Sequence, residues 1–240
     1  MVVKRIVISS LMLWLVSQSE YVFGETVTEY LPLTDGTFWT YSVTGTYGSY
    51  NETIRVLQGT TPINGVQTKA LRILDGPYQG EIEYRTNDAN GIRLHGAYLP
   101  ATEAGPGSVT FDPPVVSANR IIDIGETVNS SGKAVFTFDN YGTYTLDYES
   151  RNTIAGIETV TVPAGTYQAI KITNYSRIYG SILDEPYEDV STETTWVAKN
   201  IGQIKNKYTD SISSEVSVLI RTNARPPLRF LPFIPLLLDD

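Results

Sequence analysis

From residue 30 onward, apolar and polar residues alternate along most of the chain, in short runs that end at glycine, proline or asparagine. In the first run, FWTYSV, the side chains of Trp39 and Tyr41 share one side and that of Thr40 faces the other. A period of two residues is the spacing of a β-strand that packs one face on a core. We find no convincing amphipathic helix after residue 24, so we expect an all-β domain.

Turn sequences between the runs indicate antiparallel hairpins. Asn90-Gly91 joins runs at 81–85 and 92–98, and Pro163-Ala164-Gly165 and Asn200-Ile201-Gly202 break the long patterned stretch 157–208. A weak similarity between 53–94 and 165–207 would fit two four-strand units that face each other. We expect antiparallel sheets of about nine to eleven strands, arranged as a β-sandwich or an open half-barrel.

The two ends of the chain depart from this pattern. Residues 1–24 combine a charged start, an apolar stretch at 6–16 and the small Gly24, which is typical of a cleaved secretory signal peptide. The apolar stretch is shorter than the roughly 20 residues of a membrane-spanning helix. Residues 225–240 are largely apolar and contain four prolines, so a regular helix is not expected there.

These features predict a single β domain at 25–224, exported by the signal peptide, without a membrane span in the mature chain. The Pro-rich tail, Arg225 to Leu238, either lies on the domain's own apolar face or docks an envelope partner or membrane surface.

Charge and cysteine content narrow the functional classes. Without residues 1–24 the chain keeps 16 basic and 25 acidic residues, a net charge of −9. An acidic surface argues against nucleic-acid binding, which depends on clustered Lys and Arg. The sequence has no cysteine and one histidine, His95, which argues against thiol catalysis, a lipid-bearing cysteine and His-based metal sites. A cysteine-free exported chain favours the periplasm or the exterior of a bacterium.

No enzyme motif is complete, and we expect a non-enzyme without a cofactor. Paired carboxylates occur on one strand face at Glu81 and Glu83, and again at Asp147 and Glu149, about 7 Å apart by strand rise and near the separation in inverting glycosidases. Any solvent-facing strand produces such pairs, so we interpret them, and His95, as surface residues. A carbohydrate-active protein remains an alternative.

Four carboxylates within six residues form the one candidate metal site: Asp184, Glu185, Glu188 and Asp189. Oxygen ligands at this density can hold Ca²⁺, although acidic loops are more often only solvated.

Three pieces of the chain resemble an uncharacterised group of bacterial exported and lipid-anchored β-rich domains of unknown function. They read GTFWTY at 36–41, VPAGTYQAIKI at 162–172 and TWVAKNIGQIK at 195–205. The resemblance implies an antiparallel β architecture, related to the half-barrels that carry lipoproteins or lipids, and it brings no catalytic residues. The chain departs from those proteins in lacking the anchoring cysteine and obvious lid helices.

Together these features predict an envelope protein that binds a lipid-like or other amphipathic molecule in a groove of a curved sheet. Six aromatic residues are candidates to line that groove or to pack the core: Trp39, Tyr41, Tyr144, Tyr148, Tyr167 and Trp196. The main alternative is an interaction module that docks a partner through the C-terminal tail.

Overall fold

A computed structural model describes residues 26–46, 48–100 and 105–224. The predicted signal peptide, 1–24, and the tail, 225–240, lie outside the described residues. A 3₁₀ helix at Val27–Glu29 precedes thirteen strands: β1 (Phe38–Gly45), β2 (Gly48–Val56), β3 (Thr61–Ile63), β4 (Val66–Ile73), β5 (Ile82–Asp88), β6 (Gly91–Leu99), β7 (Gly107–Ala118), β8 (Thr127–Phe138), β9 (Gly142–Val162), β10 (Gly165–Ile182), β11 (Glu185–Ala198), β12 (Gly202–Thr209) and β13 (Ser214–Thr222). No helix in these ranges is long and apolar enough to cross a membrane.

Twelve of the strands form a closed antiparallel barrel. Each strand from β4 to β13 pairs with the next along the chain, β13 pairs with β1, and β1 pairs with β2. The ring closes where β2 meets β4, through the residue pairs Ile54 with Ile73, Arg55 with Arg72, and Val56 with Leu71. The short β3 pairs with β4 outside this ring.

The closed ring corrects the expected arrangement. The antiparallel all-β class is confirmed, whereas a sandwich or open half-barrel of nine to eleven strands is wrong. The sheet is one continuous meander, so the two similar stretches do not form separate facing units. Local alternation cannot reveal closure, because closure depends on which strands pair through the backbone: β2 with β4, and β1 with β13, which is far from it in sequence.

Because neighbouring strands run in opposite directions, their connections fall at two ends of the barrel. The hairpin end carries the β1–β2, β4–β5, β8–β9, β10–β11 and β12–β13 connections. The other end carries the β5–β6, β7–β8, β9–β10 and β11–β12 connections, and the chain enters β1 there. We call it the plug end, because the segment 26–33 lies across it.

The plug is held by hydrogen bonds to three separate parts of the ring. The Val27 N–H donates to the carbonyl of Arg120 (2.9 Å), and the Asn87 side chain donates to the carbonyl of Leu31 (2.7 Å). On the opposite side, the Asn200 N–H donates to the carbonyl of Glu29 (2.6 Å). These contacts fix the plug across the barrel end and satisfy backbone groups that would otherwise be buried unpaired.

The buried apolar residues fall into three clusters along the barrel. One lies beneath the plug and joins Val27 and Tyr30 to the strands. The largest includes Trp39, and there the Ala164 N–H at the β9–β10 turn donates to the carbonyl of Leu219 (3.1 Å). The third, around Tyr148, fills the β6–β9 side. The core is thus built against the walls and leaves space inside the barrel.

The turn between β5 and β6 requires glycine at position 91. Gly91 has φ +107°, and a Cβ atom there would lie 2.2 Å from the carbonyl oxygen of Ala118. Gly125 also has positive φ, +89°, but a Cβ atom would meet nothing within 4 Å.

We expect Gly91→Ala to lower the free energy of unfolding by about 2–4 kcal/mol, because strain and a clash with backbone add. The matched control Gly125→Ala should cost only about 1 kcal/mol, from strain alone. Urea unfolding of both variants measures the difference, and equal losses would contradict the described packing of β6 on β7.

Candidate functional site

The barrel encloses two adjoining chambers. The chamber beside the plug has a volume of about 190 Å³ and a mainly apolar wall, and the chamber toward the hairpin end has a volume of about 450 Å³ and a wall rich in carboxylates. Tyr41, Leu71 and Arg85 are among the residues that line both, so the chambers share a boundary. Small-molecule sites commonly have volumes of roughly 300–1,000 Å³. We call the two spaces the apolar chamber and the acidic chamber.

The apolar chamber is formed by the plug and by strands from both sides of the ring. Val27 and Leu31 of the plug face Ile154 of β9 and Ile172 of β10. A polar strip crosses this wall, where the Asn174 side chain donates to the Asn152 oxygen (3.0 Å) and thereby satisfies a buried amide.

Five glutamates line the acidic chamber, with Arg85 as the one cationic side chain among its described lining residues. The glutamates are Glu52 of β2, Glu81 and Glu83 at β5, Glu193 of β11 and Glu215 of β13. The two-residue period places them inside, since Glu52 shares a strand face with Ile54 and Glu193 shares one with Thr195. Closure of the ring therefore brings together carboxylates from four strands that are distant in sequence.

Arg85 is already paired. Its Nε donates to Glu83 Oε2 at 2.7 Å, and one terminal nitrogen lies 3.5 Å from Ser117 Oγ. Burial alone would raise the pKa of Glu83, but the charge and hydrogen bond of Arg85 hold that pKa below its ordinary value. The Glu83 side chain is 48% exposed, and because it lines the chamber this exposure is to the barrel interior.

Glu193 is held by an amide on the neighbouring strand. Burial raises the pKa of Glu193, although a hydrogen bond from the Asn206 side-chain nitrogen and the charge of Arg85 oppose the shift. Because that nitrogen faces the carboxylate, the orientation of the Asn206 amide is fixed. Its side-chain oxygen is fully buried and has no hydrogen-bond partner among the described residues.

Glu52 and Glu81 have neither a cationic partner nor a side-chain hydrogen bond in the described part of the chain. Burial, and then the charges of Glu215, Glu81 and other carboxylates, raise the pKa of Glu52 to about 7. Burial and the neighbouring Glu83 also raise the pKa of Glu81. Glu215 accepts a hydrogen bond from the Tyr50 hydroxyl at 3.2 Å. Confined like charges thus carry an electrostatic cost.

The chemistry available here is electrostatic binding and proton exchange. A carboxyl with a raised pKa beside one with a lowered pKa is the pairing that glycosidases use as acid and base. Here one oxygen of the ionised partner, Glu83 Oε2, accepts a hydrogen bond from Arg85, which makes Glu83 a weaker base.

Of the six aromatic candidates, the structure places Trp39 and Tyr41 on the chamber wall. The Trp39 indole N–H donates to the carbonyl of Ile201 (2.5 Å), and the Tyr41 hydroxyl donates to that of Gln203 (3.0 Å). These bonds lock both rings against the turn and strand on the other side of β13.

The other four lie away from the chambers. Tyr148 is buried and donates to the carbonyl of Pro113 (2.5 Å), Tyr167 donates to that of Ala164 (3.0 Å), and Tyr144 pairs with Phe136 across β8 and β9. Trp196 donates to Glu158 and lies between two ammonium groups, those of Lys171 (5.5 Å) and Lys205 (4.8 Å). Their described roles are in packing and in surface contacts.

The carboxylate pairs separate into an inner and an outer pair. Glu81 and Glu83 line the acidic chamber, so the interpretation of this pair as outward-facing is wrong. Asp147 and Glu149 alternate with the buried Tyr148, and they bond Lys133 (2.6 Å) and Tyr179 (3.1 Å). His95 is also buried, at 5% exposure, and contacts the Thr86 hydroxyl at 3.0 Å.

The four clustered carboxylates lie at the β10–β11 hairpin. Asp184 sits in the two-residue turn with φ +66°, and Glu185 begins β11. The Glu188 carboxylate bonds Arg177 at 2.6 Å, which already occupies its charge. Within the described ranges, no group of three or more His, Asp or Glu side chains could hold a metal ion. The calcium hypothesis gains no support from this geometry.

Several lining residues were missed by sequence reasoning: Tyr50, Glu52, Arg85, Glu193, Asn206 and Glu215. The available signal was a charged residue on the apolar face of a strand, as in Glu52 followed by Ile54 and Val56. That signal is weak, because the same alternation occurs on an outer surface.

Comparison with known proteins finds distant similarity to three solved structures. No protein-family model and no curated protein matches it. A protein provisionally described as a lipoprotein of Parabacteroides distasonis superposes with a TM-score of 0.47 and 12% identity over 82% of this chain and 100% of that one. The hypothetical lipoprotein YmcC of Escherichia coli gives 0.43 and 10% over 84% and 88%.

A third structure, provisionally described as an exported protein with a YmcC-like fold from Bacteroides fragilis, gives a TM-score of 0.37 and 12% identity over 84% of this chain and 99% of that one. Similarity of this degree identifies no family, ligand, partner or activity.

The raised pKa of Glu52 predicts a pH-dependent effect of Glu52→Gln on stability. At pH 4 the Glu52 carboxyl is mostly protonated in both the folded and unfolded states, so its ionisation changes stability little. As the pH rises toward 7, ionisation is favoured only in the unfolded state, so the wild type loses stability that the variant keeps. We expect the variant to be about 1–3 kcal/mol more stable at pH 8 and unchanged at pH 4.

Urea unfolding at the two pH values measures this effect. Glu185→Gln, at the exposed β10–β11 hairpin, is the matched control and should change stability by less than about 0.5 kcal/mol at both. A destabilised Glu52→Gln at pH 8 would show that the carboxylate makes a favourable interaction which the described chamber lacks.

Proposed function

We propose that the protein is an exported, non-enzymatic envelope protein that binds a small amphipathic molecule inside its barrel. The observation that carries this proposal is the pair of adjoining chambers, one mainly apolar and one lined by five glutamates, within the wall of one barrel. A molecule with an apolar and a polar part could bury each part against a matching surface.

The position of the plug favours entry of the ligand from the hairpin end. It covers the apolar chamber, whereas the acidic chamber is lined by Tyr78 of the β4–β5 connection and by Tyr208 near the end of β12, both at the hairpin end. The Tyr78 side chain is 39% exposed. The ligand would thus enter with its apolar part first.

The volumes of the chambers favour a ligand smaller than the lipoproteins that a lipoprotein carrier binds. The two volumes, about 190 and 450 Å³, suit a single short chain with a polar head. The proposed site therefore lies inside the barrel and not in the groove of an open half-barrel, which the sequence predicted. Docking through the tail 225–240 stays a separate hypothesis, since that segment lies outside the described residues.

Ser217→Trp tests the proposal by filling the acidic chamber. Ser217 faces the chamber from β13, beside Glu215, and its small side chain leaves room for an indole. We expect native mass spectrometry of the purified mature protein to detect a non-covalent adduct of a few hundred daltons that denaturation removes. The adduct should be absent from Ser217→Trp and retained by the control Ser217→Ala, with both variants giving the wild-type circular dichroism spectrum.

An adduct that persists in a folded Ser217→Trp protein would place the ligand elsewhere. Wild-type protein that carries no adduct, and that binds no added amphipath, would overturn the proposal.

A further inference from the structure

The charges of the acidic chamber are unbalanced. Arg85 is engaged by Glu83, and Glu193 is held by Asn206. Glu52 and Glu81 remain without a cation or hydrogen-bond donor from the described residues, and Glu215 receives only the Tyr50 hydroxyl. The barrel wall surrounds these carboxylates on their sides, which strengthens the field they produce inside. The chamber therefore attracts positive charge.

The aromatic groups on the same wall also favour a cation. Four tyrosines, Tyr41, Tyr50, Tyr78 and Tyr208, also line the chamber. Aromatic rings combined with carboxylates are the surroundings in which proteins hold organic ammonium groups.

Two of these rings contact each other at the entrance of the chamber. Tyr50 and Tyr78 meet edge to face, with ring centroids 6.5 Å apart and an interplanar angle of 68°. The Tyr50 hydroxyl donates to Glu215, which fixes that ring beside a carboxylate. Both side chains stand at the hairpin end, so an entering molecule passes them before it reaches Glu52.

We propose that the molecule bound inside the barrel is an organic cation, with an ammonium group among Glu52, Glu81 and the tyrosines, and a short apolar tail in the chamber beside the plug. This inference rests on the proposed function and adds the charge and polarity of the ligand. Fatty acids and phosphorylated lipids are poor ligands for the same wall, because their anionic heads would enter an uncompensated negative field.

Isothermal titration of the mature protein with three probes of equal chain length tests the proposal at pH 8. The probes are n-octylammonium, 1-octanol and octanoate. We expect n-octylammonium to bind at least tenfold more tightly than 1-octanol, and octanoate to show no measurable binding.

The double variant Glu52→Gln, Glu81→Gln tests whether these carboxylates are responsible. It should bind n-octylammonium at least tenfold more weakly while its affinity for 1-octanol stays within twofold of the wild type. Glu185→Gln, at the exposed β10–β11 hairpin, is the control that removes one carboxylate away from the chamber, and it should leave both affinities unchanged. The glutamine side chains keep the shape of the wall, and circular dichroism verifies the fold.

The outcomes separate the two claims. Equal affinity for all three probes, or tighter binding of octanoate, would overturn the cationic ligand and leave the binding barrel in place. Binding of n-octylammonium that the double variant does not weaken would also overturn the cationic site. No binding of any probe would overturn the proposed function and the inference with it.

Discussion

Closure of the ring between β2 and β4 is the constraint on which the interior of this protein depends. Three residue pairs join these strands, and they follow an interval in which the chain makes only the short β3. Without them the sheet would have two free edges, and its inner face would be open to solvent. With them the inner face becomes a wall around an enclosed space, and the plug across one end makes that space a blind chamber rather than a channel.

Enclosure inside the barrel changes the solvation and the pKa of residues that are ordinarily found on protein surfaces. Glutamate on an open strand is solvated and has an ordinary pKa, whereas five glutamates inside one wall share a restricted volume and repel one another. The protein reduces this repulsion in part, through Arg85 beside Glu83 and through the Asn206 amide beside Glu193. An electrostatic cost remains at Glu52 and Glu81, which have no such partner among the described residues. Such unfavourable placement of charge is typical of functional sites.

The sequence predicts the local structure better than the site. Alternation of Trp39 and Tyr41 with polar neighbours locates β1, and the Asn90-Gly91 turn locates the β5–β6 hairpin, because both signals are local. Which face is inside depends on long-range pairing. Glu81 and Glu83 therefore gave the pattern of an outer face although they line the chamber, and four of the six aromatic candidates have described roles in packing or at the surface. A contiguous motif would have located the site in the sequence, but a binding wall assembled from several strands has no such motif.

The central claim is that the carboxylates of β2, β5, β11 and β13 share one enclosed chamber. Carbon-13 NMR of glutamate side chains, with Glu52 assigned from the Glu52→Gln variant, tests it most directly by following the carboxyl shift of Glu52 from pH 3 to pH 9. The described structure predicts a titration midpoint that burial and the neighbouring carboxylates raise to a pKa of about 7. A midpoint near the ordinary glutamate value of about 4.3 would show that Glu52 is freely solvated, and it would contradict the enclosed acidic chamber.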